Sequence, residues 1–182
     1  MGGNGTVTVR IRNNSGQPIY LPANCSTLAY TMTPLGGDDP DESYVYDPSC
    51  LQTCEDLQTE PPYACGACAP ATFLLPAGAT RDVSWNGTGL AYGITMPAEC
   101  YADPQMAMAC SRIVNAPVGD YRIDVVGYSK CDEGFDCTCD SNGVCYGMAG
   151  GFEAYPDPAV LSYPSESLVE VVFGVCAFGC AD

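Results

Sequence analysis

Thr6-Val7-Thr8-Val9-Arg10-Ile11-Arg12 alternates strictly, with Val7, Val9 and Ile11 on one face and Thr8, Arg10 and Arg12 on the other. A period of two is that of a strand with one face in a core and the other toward water. Asn13-Asn14-Ser15-Gly16 closes it with turn-favouring residues, and Pro18-Ile19-Tyr20-Leu21 resumes an extended path. Near the other end of the chain, Leu168 to Val175 repeats the pattern: Val169, Val171, Phe173 and Val175 form an apolar row like that of the first strand.

Between these ends the same signals recur. Thr72-Phe73-Leu74-Leu75 runs into the turn Pro76-Ala77-Gly78, and Arg81 to Trp85 reads as the next strand. Asn86-Gly87 follows, a strong hairpin signal, which makes Leu90 to Met96 the expected returning strand. Pro117-Val118-Gly119-Asp120 launches Tyr121 to Val126, with Tyr121, Ile123 and Val125 facing inward. Helical expectations are confined to one turn around Pro48 to Leu57, which places Cys50 and Cys54 on one face, and another near Pro104 to Ile113. Short strands, frequent Pro and Gly turns and no long 3.6-residue period predict an all-β sandwich or barrel. Residues 1–182 are read as one domain, whose 47% apolar content suffices for a core.

Two regions carry no clear strand signal. Gly36 to Pro70 is acidic and then cysteine-rich, and Lys130 to Pro164 holds four cysteines followed by a Gly- and Pro-rich stretch. Both are expected to be long loops pinned by disulfides, and long ordered loops are where binding surfaces concentrate.

The 13 cysteines are Cys25, Cys50, Cys54, Cys65, Cys68, Cys100, Cys110, Cys131, Cys137, Cys139, Cys145, Cys176 and Cys180. Such density implies an oxidising compartment, hence an exported protein in the periplasm, on the cell surface or outside the cell, held by about six disulfides. An odd number leaves at least one cysteine unpaired within the chain. Zinc is the competing use, but the chain has no histidine, and Cys65-Gly-Ala-Cys68 has no second pair at the usual spacing. That pair lies between Pro62 and Pro70 with no helix signal after it, so a structural bridge is expected instead of a redox centre. No signal peptide is visible and no apolar run reaches the roughly 20 residues of a membrane-spanning helix. A precursor whose signal ends in a lipidated cysteine upstream of Met1 fits the same picture.

With 22 acidic and 6 basic residues, the formal charge of −16 repels phosphate backbones and anionic membranes, so nucleic acid is not an expected partner. The missing histidine removes Ser-His-Asp, Cys-His and nearly every hydrolytic zinc arrangement, and the chain is expected not to be an enzyme. Calcium is the cofactor to test: Asp132, Glu133, Asp136, Asp140 and Asn142 crowd one loop with hard oxygen ligands, although the distal glutamate of an EF-hand is missing. Asp38, Asp39, Asp41 and Glu42 form a second acidic run. Met96, Met106 and Met108 beside Cys100 and Cys110 suggest a copper(I) site or, alternatively, core packing.

On the outward strand faces, Arg10, Arg12 and Arg122 are expected to meet Asp124 and Glu170 across a sheet. Asn4, Asn13, Asn24 and Asn86 begin Asn-x-Ser/Thr sequons. Tyr44, Tyr46, Tyr63, Tyr146, Phe152 and Tyr155, all in the two loop regions, serve either as contact surface or as core.

Val9 to Leu21, then Leu75-Pro76-Ala77-Gly78 leading into Trp85, then Pro117 to Arg122, together resemble the layout of bacterial exported immunoglobulin-like domains, including the proteinase-inhibitor family first described in bacilli. The features cover about a third of the chain. Its cysteine-rich insertions look like those of secreted or lipid-anchored myxobacterial proteins and depart from the inhibitor pattern, so no inhibitory residue is carried over. The resemblance implies an immunoglobulin-like β-sandwich with long disulfide-pinned loops. The expected function is a non-catalytic extracytoplasmic binding, adhesion or structural subunit that meets a protein or surface partner or assembles with itself. A calcium- or copper-binding secreted protein and a protease inhibitor are the alternatives.

Overall fold

The computed structural model describes residues 5–25, 27–36, 44, 51–64, 66, 69–131 and 137–179. The strands are β1 (Val7–Asn13), β2 (Ile19–Asn24), β3 (Thr27–Leu28), β4 (Thr31–Pro34), β5 (Ala71–Leu75), β6 (Thr80–Trp85), β7 (Thr88–Ile94), β8 (Cys110–Asn115), β9 (Gly119–Asp124), β10 (Gly127–Cys131), β11 (Val144–Tyr146), β12 (Ala149–Ala154), β13 (Ala159–Tyr163) and β14 (Leu168–Phe173). Helix among the described residues is limited to 3-10 turns at Asp56–Gln58, Ala98–Cys100 and Pro104–Met106. The fold is all-β, and its packed sheets form a β-sandwich.

The alternation of the opening segment does what a period of two requires. Val7, Val9, Ile11 and Asn13 are buried while Thr8, Arg10 and Arg12 are half-buried on the other face. β1 lies between β14, which runs parallel to it, and β6, which runs antiparallel. Val9 faces Val169 and Ile11 faces Val171 in register, so the two ends of the chain bury one continuous apolar face. Each such side chain contributes about 1.5–3 kcal/mol on leaving water.

A second sheet runs β11-β5-β2-β10-β12, with β3 on β2; a third runs β13-β9-β4; and β7 pairs with β8. Ile19 and Leu21 of β2, Met32 of β4, Leu75 of β5, Ile123 of β9, Leu161 of β13 and Phe173 of β14 join the β1 row in a single core. Gly127 allows β10 its close approach: a Cβ there would lie 2.4 Å from Ile19 Cγ2 and 3.3 Å from Phe173.

An aromatic group fills the far end of this core. The Trp85 ring lies 4.9 Å from Tyr163 and 5.7 Å from Tyr121, and Tyr44 meets Tyr121 edge-on at 5.7 Å. Two of these rings carry bonded polar atoms: Trp85 Nε1 donates to the Tyr44 and Thr88 carbonyls, and the Tyr121 hydroxyl donates to Pro117 O at 2.7 Å. This bond spans four residues and ties the start of β9 to the turn that precedes it.

Several sequence expectations need correction. Asn86-Gly87 makes the expected turn, with Gly87 at φ 73° and the Asn86 side-chain oxygen accepting from the Thr88 amide and hydroxyl. It does not make a hairpin, because β6 pairs with β1 and β7 leaves to pair with β8. The helical turn near Pro104 stops at Met106, and Cys110–Asn115 is a strand. Lys130 to Pro164 is no loop: β11, β12 and β13 lie in it, short strands whose Gly, Ser and Cys content hid the alternation. β14 ends at Phe173, and Val175 is 83% exposed instead of continuing the buried row.

The outward charges pair largely as opposite faces allow. Arg12 meets Glu170 at 2.8 Å, but Arg10 is held by Asp82 directly across from it on β6, and Arg122 bonds Asp124 on its own strand. All are solvent-exposed pairs, each worth about 0–1 kcal/mol. Framework stability therefore rests on the core, and Tyr121→Phe, which removes the hydrogen bond to Pro117 O while keeping the ring, should lower unfolding free energy by about 1 kcal/mol. Unchanged stability in chemical denaturation would contradict that role.

Candidate functional site

Two disulfide-braced arms leave the sandwich. In the first, Cys54–Cys110 closes a separation of 56 residues, and Thr53 bridges Ser111 in parallel as the Cys54 amide donates to Ser111 O. Leu57 and Tyr101 pack with this disulfide, and Ile94 and Met96 lie against them, forming a small core separate from the main one. The Tyr101 hydroxyl, donating to Met108 O, and the Arg112–Glu55 ion pair complete the arm.

This arm bears on the copper expectation. Cys110 is consumed in the disulfide, and Met96 packs against the small core with its sulfur 3.4 Å from Gln58 Nε2. Met106 and Met108 are exposed, as is Cys100, the free cysteine among the described residues. Cys25, Cys54, Cys110, Cys131, Cys137, Cys139, Cys145 and Cys176 are all disulfide-bonded. Cys50, Cys65, Cys68 and Cys180 lie outside the described residues.

The second arm runs from β10 to β12. Cys131–Cys137 and Cys139–Cys145 each span six residues, and the second closes a tight hairpin at residues 140–144. Asp140 builds that turn: its Oδ1 accepts from the Asn142 amide at 2.8 Å and the Val144 amide at 2.9 Å. The Val144 bond is the main reason its pKa lies below the usual aspartate value. Gly143 at φ 73° completes the turn, and its carbonyl accepts from the Leu74 amide, fastening the hairpin to β5.

Asp140 and Asn142, two of the five expected calcium ligands, are thus together, but one carboxylate oxygen is already occupied by backbone. Asp132, Glu133 and Asp136 lie outside the described residues, as do Asp38, Asp39, Asp41 and Glu42. Among the described residues no three Cys, Asp or Glu side chains are grouped to hold a metal ion.

Of the aromatic residues expected to form a contact surface, the second arm exposes three within ten positions. Tyr146 is 61% exposed, Phe152 79% and Tyr155 57%, and Met148 lies between them at 54%. The Tyr155 hydroxyl donates to the Glu153 carboxylate, a bond that raises its pKa. The Phe152 amide donates to Ser129 Oγ across the bulge where β10 and β12 lose register. Tyr63 is exposed on the other arm. Tyr44 is instead a core residue against Tyr121, and Tyr46 lies outside the described residues.

The sequons separate by burial. Asn13 is fully buried, its side-chain nitrogen donating to the Gln17 and Leu75 carbonyls, so the folded chain offers it to no transferase. Asn24 and Asn86 are exposed, and Asn4 lies outside the described residues.

Sequence reading missed a cavity of about 350 Å³ between the β5–β6 turn and the Cys139–Cys145 hairpin. Arg81 and Asp140 line it together with Leu74, Leu75, Pro76 and Asn142. The Arg81 guanidinium stacks on the Phe73 ring, 3.8 Å from its centre, and burial lowers its pKa. No local signal marks this site, because its two walls are about sixty residues apart in sequence.

No protein-family model, curated protein or solved structure matches the chain. Among the described residues, no helix is long and apolar enough to cross a membrane. The disulfides fit folding outside the reducing cytosol. Alkylation of the native, unreduced protein should label Cys100 and spare the eight bonded cysteines; peptide mass spectrometry finding Cys100 protected would contradict its exposure.

Proposed function

We propose that the protein is a non-catalytic extracytoplasmic binding or adhesion module of the exported immunoglobulin-like type, whose contact surface is the second arm. The observation that carries this reading is the exposure of Tyr146, Met148, Phe152 and Tyr155 on one short stretch of chain. Large side chains are seldom clustered in water without a partner, and rigid aromatics are the residues that dominate binding energy. Other aromatics of the chain, such as Tyr121 and Tyr163, are fully buried, so exposure is not the general state of its large rings.

Rigidity supports the same reading. The two disulfides and the Asp140 turn hold the arm before any partner arrives, which lowers the entropy lost on docking. The surrounding acidic surface repels other acidic surfaces, so a neutral or basic protein or cell-surface partner is favoured. The absence of histidine leaves the chain without the side chain that most often serves as a general base.

The test is adhesion of the labelled protein to washed cells of its source. Tyr146→Ser, Phe152→Ser and Tyr155→Ser together should reduce bound protein at least about tenfold, since aromatic anchors carry about 2 kcal/mol or more each. Equal binding by the triple variant, with its disulfides intact, would overturn the assignment of this surface.

A further inference from the structure

The six cations of this acidic chain are unevenly used. Arg10, Arg12, Arg112 and Arg122 each hold a carboxylate, at 2.7, 2.8, 2.6 and 2.8 Å respectively. Arg81 holds none among the described residues. Its guanidinium lies over Phe73, and a single weak hydrogen bond, 3.5 Å from Nη1 to Asn142 O, is its polar contact there. A guanidinium offers five N–H donors in a rigid plane, so most of this fork has no acceptor among the described residues. Stacking on the ring fixes the plane without using those donors.

Asp140 faces the same space with the opposite sign. Its Oδ1 is committed to the Asn142 and Val144 amides, and the Asn142 side chain also acts on the carboxylate, whose two oxygens still have lone pairs to spare. The two charges interact electrostatically but form no ion pair. A cation and an anion held apart across a cavity, each with unused hydrogen-bonding capacity, match a ligand that carries both charges in the reverse order.

We propose that the cavity binds a small zwitterion of the α-amino-acid type, with its carboxylate on Arg81, its ammonium on Asp140 and its side chain against Leu74, Pro76 and Ala79. The cavity of about 350 Å³ lies near the lower end of the roughly 300–1,000 Å³ common for ligand sites, a size that suits an amino acid. The charge balance favours the same class. A formal charge of −16 repels a simple anion, and Arg81 disfavours a simple cation, whereas a zwitterion meets neither penalty. Both walls are rigid: β5 and β6 belong to the framework, and the hairpin is closed by Cys139–Cys145 and fastened by the Leu74 amide to Gly143 O. This site is separate from the aromatic contact surface and stands or falls independently of it.

The experiment is an amide- and arginine-side-chain-detected NMR titration of the intact, oxidised protein with L-leucine, with acetate and methylammonium as single-charge probes. Leucine should give saturable shifts at Arg81 Nε, Asn142 and Gly143, and each single-charge probe should bind far more weakly. Arg81→Gln and Asp140→Asn should each weaken leucine binding at least about tenfold, the loss expected for one charge-assisted hydrogen bond. Asp140→Asn keeps the Oδ1 acceptor that closes the turn, and an otherwise unchanged spectrum verifies the fold. No saturable shift with leucine, acetate binding as tightly as leucine, or undiminished binding by both variants would each overturn the proposal.

Discussion

The structure depends on the burial of one face of β1 between β14 and β6. Val7, Val9, Ile11 and Asn13 enter the core from a strand whose neighbours come from the opposite end of the chain and from its middle. Asn13 is the one polar member of that row, and it is fully bonded: its nitrogen serves the Gln17 and Leu75 carbonyls while its oxygen accepts from the amide and hydroxyl of Ser15. An unsatisfied amide at this depth would cost several kcal/mol; bonded, it fixes where β1 stops and how the turn into β2 leaves. From that point the second sheet, the aromatic group around Trp85 and the Tyr121–Pro117 bond follow as ways of covering the same core.

The core is continuous, and Cys54–Cys110, Cys131–Cys137 and Cys139–Cys145 act outside it. Cys54–Cys110 organises a satellite core around Leu57 and Tyr101, and the two six-residue bridges shape the arm between β10 and β12. The arms in turn carry the features with chemical potential: exposed Cys100 on one, and the aromatic surface and the Asp140 side of the cavity on the other. The division between a framework stabilised by apolar burial and arms stabilised by cross-links explains how polar, Gly-rich sequence can still present side chains in fixed positions.

What could be read from sequence follows the range over which each signal acts. β1, β9 and most of β14 were legible because alternation is a local property that burial enforces. β11 and β12 were not, because Val144-Cys145-Tyr146 and Ala149-Gly150-Gly151 owe their extended form to pairing with β5 and β10 and to cross-linking. Asn86-Gly87 illustrates the limit from the other side: the dipeptide specifies a turn, but which strand the chain joins afterwards is decided by competition for β1 and β8. At the site, Tyr146, Phe152 and Tyr155 were found as aromatics in a cysteine-rich stretch, whereas Tyr44 is drawn into the core by Tyr121 and Trp85. Arg81 was invisible because its partners, Phe73 and Asn142, are set by tertiary packing.

The central claim is that the sandwich stands on its own core while Cys54–Cys110, Cys131–Cys137 and Cys139–Cys145 hold the arms. Hydrogen exchange measured segment by segment before and after mild reduction tests it most directly. The account predicts that amides of β1, β2, β9 and β14 keep their slow exchange in the reduced protein, while the hairpin at residues 140–144 and the segment around Leu57 and Tyr101 become fast. Loss of protection across β1 and β14 together with the arms would contradict it, because the framework would then depend on the same cross-links.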